Sequence, residues 1–205
     1  MKKIIATVVS YLFHPIWLVP LMAAYLIFAD PVLYLGVSPH IKLFRLLTVV
    51  LNSVFFPLIS VLLARAVGFI KSIQMKDASD RIIPYVATLT WYFWDWMAMR
   101  NLGDTPAPMT AMLFGVFLSA SAALIFNTFL KISMHTIGVG GLVAFFLLIS
   151  LQGAQGTALP LAISILIAGL VWSARLIVSN HTQRELVLGF LVGFLCQVAG
   201  TFFFH

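Results

Sequence analysis

The chain has 205 residues, 62% of them hydrophobic and 9% charged, with a mean hydropathy of +1.08. A water-soluble domain cannot bury that much apolar surface, so the sequence reads as all-α, a polytopic transmembrane helical bundle forming one domain over residues 1–205. The net charge of +6 points to anionic lipid headgroups, and with no soluble basic surface to track a strand, nucleic acid is excluded as a partner.

A spanning helix needs roughly 20 apolar residues, and that ruler predicts seven spans, or six if the fourth and fifth are continuous. Met1-Lys2-Lys3 followed by Ile4-Ile5-Ala6 imitates a signal peptide. The apolar run continues past His14-Pro15 to Phe28 without a small-residue cleavage site, so an uncleaved first span is expected, kinked at Pro15 and Pro20. The second runs from Leu46 to Ile70 and is interrupted by Pro57. After the polar stretch from Lys71 to Pro84, the third ends at Met99 in an aromatic cluster of Trp91, Tyr92, Trp94 and Trp96, the composition of a membrane–water boundary.

A turn holding Arg100, Asp104 and Pro106 leads into the fourth span, Pro108 to Phe129. Lys131-Ile-Ser133-Met-His135 separates it from the fifth, which ends at Leu151 and carries Gly138, Gly140 and Gly141 for close helix approach. The sixth covers Leu159 to Val178 and the seventh Leu186 to Phe204. The single cysteine, Cys196, lies in the last run and excludes an intramolecular disulfide. With this parity, the polar stretches at Lys76–Arg81, Ser133–His135 and Arg175–Glu185 all emerge on the side of the N-terminus.

The chemistry concentrates in Ser173-Ala-Arg175-Leu-Ile-Val-Ser-Asn-His181-Thr-Gln-Arg-Glu185. If the chain is helical from Asn180, His181 and Glu185 share a face, and the carboxylate fixes one imidazole tautomer and stabilises its positive form. That prepares a nucleophilic histidine. Arg175 supplies a permanently charged planar fork suited to phosphate oxygens. His135 follows Ser133 on the same side; two histidines, one nucleophile and one acid, are a minimal set for metal-free phosphoryl transfer. Lys76 and Arg81 add cationic charge for the phosphate. The structural alternative is an interfacial cap, with Asn180 as N-cap and Gln183 as its partner. His14, His40 and His205 show no partners in the sequence and read as structural or terminal. Asp95 is an intramembrane carboxylate for which a helix–helix hydrogen bond is the expected role. No metal-ligand spacing and no Walker-type loop appears, so neither metal nor cofactor is expected.

These residues resemble the type 2 phosphatidic acid phosphatase superfamily, membrane enzymes that dephosphorylate lipid phosphates and diphosphates without metal. Its third motif, S-R-x5-H-x3-D, is similar to Ser173-Ala-Arg175-x5-His181-x3-Glu185, with one inserted alanine and Glu for Asp. Its second, P-S-G-H, is similar to Ile132-Ser133-Met134-His135, without the glycine; its first, K-x6-R-P, corresponds in residue types but not spacing to Lys76-x4-Arg81-x2-Pro84. The resemblance covers residues 76 to 189. It implies His181 as nucleophile oriented by Glu185, His135 as general acid, and Lys76, Arg81, Ser133 and Arg175 as phosphate ligands. It implies a phosphohistidine intermediate and a lipid phosphate or polyprenyl diphosphate substrate in a bacterial inner membrane.

Two rival classes use the same features: a lipid-phosphate binder or transporter built on this basic pocket, favoured by the altered first two motifs, and a structural membrane subunit. Nine lysines and arginines fall on the N-terminal side and three on the other; setting aside Lys76, Arg81 and Arg175 as phosphate ligands leaves six against three. The positive-inside rule therefore favours a cytoplasmic site, although many bacterial members of the superfamily act on the outer face.

Overall fold

The computed structural model describes residues 1–70, 82–179 and 181–204. Among them every regular element is helical. α1 (Lys2–Leu12) and α2 (Pro15–Ala24), the latter running on through a π-helical turn at Tyr25–Ala29, form the first span. The expected kink is a break at Phe13–His14 that bends the pair by 49°. It forms because Pro15 has no N–H to donate back along the chain and is instead suited to open a new helix, for which the preceding His14 is the N-cap.

α3 (Pro39–Val50), a π-helical turn at Leu51–Phe55 and α4 (Phe56–Ala66) make one continuous 28-residue span. It starts seven residues before the expected Leu46, because Ser38 caps the Ile41 N–H and Pro39 opens the helix, carrying Lys42 and Arg45 into the first turns. The interruption expected at Pro57 takes the form of the π turn, in which the Phe56 N–H reaches back to the Leu51 carbonyl. α5 (Ile82–Asn101), α6 (Ala107–Asn127), α7 (Met134–Leu151), α8 (Ala158–Val178) and α9 (Gln183–Phe202) follow, and the expected break around Lys131 falls between α6 and α7.

Five of these helical segments are long and apolar enough to cross a membrane, or six if the bent first pair is counted as one span. The chain is an integral membrane protein. α5 is not among the six; its Trp, Tyr, Asp95 and Arg100 content lowers its hydropathy, yet it packs in the bundle between α4 and α6. Its aromatic residues belong largely to the interior. Trp91 stacks on Phe56 at 4.4 Å and donates to Ser60 Oγ at 2.9 Å, while Trp96 is buried among Phe93, Phe114 and Phe117. Only Trp94 faces outward as a boundary residue would.

α7 is the most buried span of the bundle, and α9 lies against α7 and α6 through glycines. A Cβ on Gly140 would sit 2.2 Å from the Phe190 carbonyl oxygen, and one on Gly193 would sit 1.9 Å from that of Ile137. On the other flank, a Cβ on Gly200 would fall 2.6 Å from the Ala111 oxygen. Of the three glycines read from the sequence as close-approach positions, Gly140 meets the α9 backbone, Gly138 seats Pro15 and Leu18 of α2, and Gly141 has ordinary clearance. α1 lies along α8, so the elbow of the first span reaches the end of the bundle where α7 and α9 begin and α8 ends. At the opposite end, buried Arg45 pairs with the exposed Asp104 carboxylate, beside buried Tyr34. Burial, chiefly, pushes the Tyr34 phenol up to about 12.

Candidate functional site

The site is assembled where two helices start, one ends and the first span turns. α9 opens with Thr182, whose Oγ1 accepts from the Glu185 N–H at 3.3 Å while the Glu185 carboxylate accepts from the Thr182 N–H at 3.0 Å. This reciprocal capping box is centred two residues later than the Asn180–Gln183 cap read from the sequence, and Asn180 itself lies outside the described residues. The same oxygen, Glu185 Oε2, also receives His181 Nδ1–H at 2.9 Å. One side chain therefore does both jobs that the sequence presented as alternatives: it caps the helix and it orients the histidine. Because Nδ1 holds the proton, Nε2 is left with its lone pair, on a side chain only 9% exposed. Burial pulls the His181 pKa below the ordinary 6.5, with Lys131 and Arg175 adding to the effect and the Glu185 hydrogen bond opposing it. At neutral pH the ring is neutral, the form a nucleophile needs.

His135 stands in the first turn of α7, two residues after Ser133 at the N-cap position. Ser133 Oγ is fully buried, makes no cap and has no hydrogen-bond partner among the described residues. The first N–H groups of a helix have no intrahelical acceptor, so an uncapped α7 start presents donors and the positive end of the dipole. His135 Nε2 lies 3.1 Å from the Ser10 carbonyl oxygen of α1. A carbonyl only accepts, so the proton is on Nε2 and Nδ1 is the free nitrogen.

Arg175, in the last turn of α8, leaves its buried Nε without a partner among the described residues. Its charge acts on His14, His135 and His181 alike, which places all four groups in one electrostatic neighbourhood. His135 and His181 also feel each other directly. The residues read from the sequence as catalytic (His181, His135, Glu185) and two of the phosphate ligands (Ser133, Arg175) thus meet at one end of the bundle. Lys76 and Arg81, the other two, lie outside the described residues.

Two residues escaped the sequence reading. Lys131, on the α6–α7 connection, acts electrostatically on both His181 and Glu185. His14, read as structural, sets its ring at 85° to that of His135 with centroids 5.1 Å apart. Its signal was the His-Pro pair at a helix break; its partner lies far away in sequence and only the folded first span brings them together. Asp95 differs from expectation as well. It is fully buried, and among the described residues neither carboxylate oxygen has a hydrogen-bond partner, so none of them makes the expected helix–helix bond.

Among the described residues no group of three or more His, Cys, Asp or Glu side chains could hold a metal ion. The buried side-chain atoms at the site without a partner among the described residues can donate: Ser133 Oγ–H and Arg175 Nε–H, beside an α7 start that Ser133 does not cap. Such a set fits an anion with several oxygens rather than a cation. Comparisons with protein-family models, with curated proteins and with solved structures find no match.

Proposed function

We propose that this protein is a metal-independent membrane phosphatase that hydrolyses a lipid phosphate or diphosphate through a phosphohistidine on His181. The observation that carries the reading is the His181–Glu185 pair at 2.9 Å, with its free Nε2 in the same neighbourhood as Arg175 and His135. The resemblance of these residues to the motifs of the type 2 phosphatidic acid phosphatases supports it.

In this mechanism Arg175, Ser133 and the α7 amides hold the phosphate oxygens; the resemblance alone adds Lys76 and Arg81 as further ligands. His181 Nε2 attacks phosphorus; an N–P bond forms as the bond to the lipid oxygen breaks. The leaving oxygen takes a proton from His135 Nδ1, which carries one when the phosphate dianion is bound beside it. Glu185 stabilises the positive charge that develops on His181. Water then attacks phosphorus, giving its proton to His135 as the N–P bond breaks, and inorganic phosphate leaves. The apolar tail stays in the bilayer throughout. The cation count favours the cytoplasmic face of a bacterial inner membrane.

The test is phosphate release by the purified protein in detergent with EDTA, using phosphatidate, phosphatidylglycerol phosphate and a polyprenyl diphosphate. Release from at least one, abolished by His181→Ala, is the expected result. Release that survives His181→Ala refutes the mechanism. No release from any, with the protein folded, favours a lipid-phosphate binder.

A further inference from the structure

We infer that the elbow of the first span is a positioning device for His135: the Ser10 carbonyl and the His14 ring lock that imidazole in its Nε2–H form, so that Nδ1 is the nitrogen turned to the substrate. The inference deepens the phosphatase reading, on which its catalytic consequence rests. The tautomer itself is a property of the ligand-free protein and is testable without activity.

The argument begins with the break at Phe13–His14. Ser10 is buried near the end of α1, and its carbonyl accepts from His135 Nε2 at 3.1 Å, a contact between residues 125 apart in sequence. Four residues on, His14 Nδ1 accepts from the Ile16 N–H at 3.4 Å and so caps α2. That bond leaves the neutral ring protonated at Nε2 and fixes its plane. The fixed ring then meets His135 edge-to-face at 5.1 Å, a geometry that aromatic pairs favour. Arg175 and His181 are the other charged or titratable groups acting on His135, both from the α8–α9 side. His135 is thus held by the first span and faces the phosphate site with the nitrogen the first span does not use. In an unbroken helix the Ser10 carbonyl would accept from the His14 N–H; at the break that N–H turns to the Tyr11 carbonyl at 3.3 Å, which leaves the Ser10 oxygen to His135. Gly138 keeps the contact close, since a Cβ there would press on Pro15 at 3.0 Å.

Two substitutions separate the roles of His14. His14→Asn keeps a side-chain acceptor for the α2 cap, as asparagine is among the best N-caps, but removes the ring. His14→Phe keeps the ring and removes the acceptor. Nitrogen-15 NMR of histidine-labelled protein in detergent, with His135→Gln identifying the signal, reads the tautomer. The wild type is expected to show His135 as a single Nε2–H species, His14→Phe to retain it, and His14→Asn to show averaging between tautomers. With a substrate that is turned over, His14→Asn is expected to lower kcat by about 100-fold with KM changed less than about threefold, the pattern of a displaced acid rather than lost binding. A wild-type Nδ1–H tautomer, or His14→Asn leaving the Nε2–H species intact, overturns the inference, as does averaging in His14→Phe. If His14→Asn does not fold, the wild-type and His14→Phe spectra still decide. Loss of phosphate release with the tautomer as stated counts against the phosphatase reading alone.

Discussion

The joint between α7 and α9 sets the distance between the two histidines, and Gly193→Ala tests it. Ile137 lies two residues beyond His135, and Gly193 two helical turns beyond Glu185, so their contact is a backbone fulcrum just below the site. An added Cβ would lie 1.9 Å from the Ile137 oxygen, where real Cβ contacts essentially never fall under 3.0 Å; the helices must therefore part by at least about 1.1 Å. The oxygen is a backbone atom and the Cβ position is fixed by the backbone, so no side-chain rotation relieves the clash. Overpacking of this kind costs about 1–3 kcal/mol, and a misplacement of about 1 Å between catalytic groups costs about 100-fold in turnover. Two alanines provide the controls. A Cβ on Gly141 would stand 3.7 Å from the Gly193 oxygen, and one on Gly169 would meet nothing within 4 Å. Thermal unfolding can be followed through the single cysteine, Cys196, which is free and half-buried on α9. Gly193→Ala should lower the midpoint and phosphate release, while Gly141→Ala and Gly169→Ala should match the wild type. A Gly193→Ala protein indistinguishable from Gly141→Ala refutes the close joint.

Glu185→Gln should leave the unfolding midpoint unchanged, because glutamine also completes a capping box, while turnover falls about 100-fold or more for want of a carboxylate behind His181; Glu185→Ala should lower both. The acid limb of kcat/KM should lie below 6.5, since burial holds His181 neutral to lower pH than an ordinary histidine; a limb above 6.5 contradicts the assignment. At the far end of the bundle, the hydrogen bond from Arg45 holds the Asp104 carboxyl below the ordinary 3.8. Its contribution to stability is complete above that value and is lost as pH falls through the lower folded one, so Asp104→Asn should lower the midpoint at neutral pH and flatten its fall in acid. An unchanged acid profile in Asp104→Asn removes Arg45 as the cause. Asp95→Ala deletes two buried oxygens that have no hydrogen-bond partner among the described residues; such groups cost about 1–3 kcal/mol each, and the midpoint should rise. A fall would mean that Asp95 holds a partner within the membrane.

The spans were legible because hydropathy over 20-residue stretches is a property of composition, and α6, α7, α8 and α9 begin and end within a few residues of the sequence reading. The His181–Glu185 contact was legible for a similar reason: spacing of four on a helix brings two side chains together whatever the rest of the fold does. The start of α3 was missed because polarity rather than capping was used to place it; Ser38-Pro39 is the stronger signal. The role of His14 was not legible at all, since it depends on the direction in which a helix bends after a proline. Arg45–Asp104, 59 residues apart, belongs to the same class of long-range pairing. Trp96 was read as a boundary residue from composition, but its neighbours on α6 and the end of α9 enclose it.

The most direct measurement of the central claim is to quench a reaction with radiolabelled lipid phosphate within milliseconds and look for phosphate bound to the protein. The account predicts a phosphoprotein that is labile in acid and stable in base, maps to the peptide holding His181, forms in the presence of EDTA and is absent from His181→Ala. It also predicts that the label accumulates in His135→Gln when the lipid carries a good leaving group, since the water step then lacks its base. Phosphate release without any phosphoprotein, or a label on a residue other than His181, would contradict it.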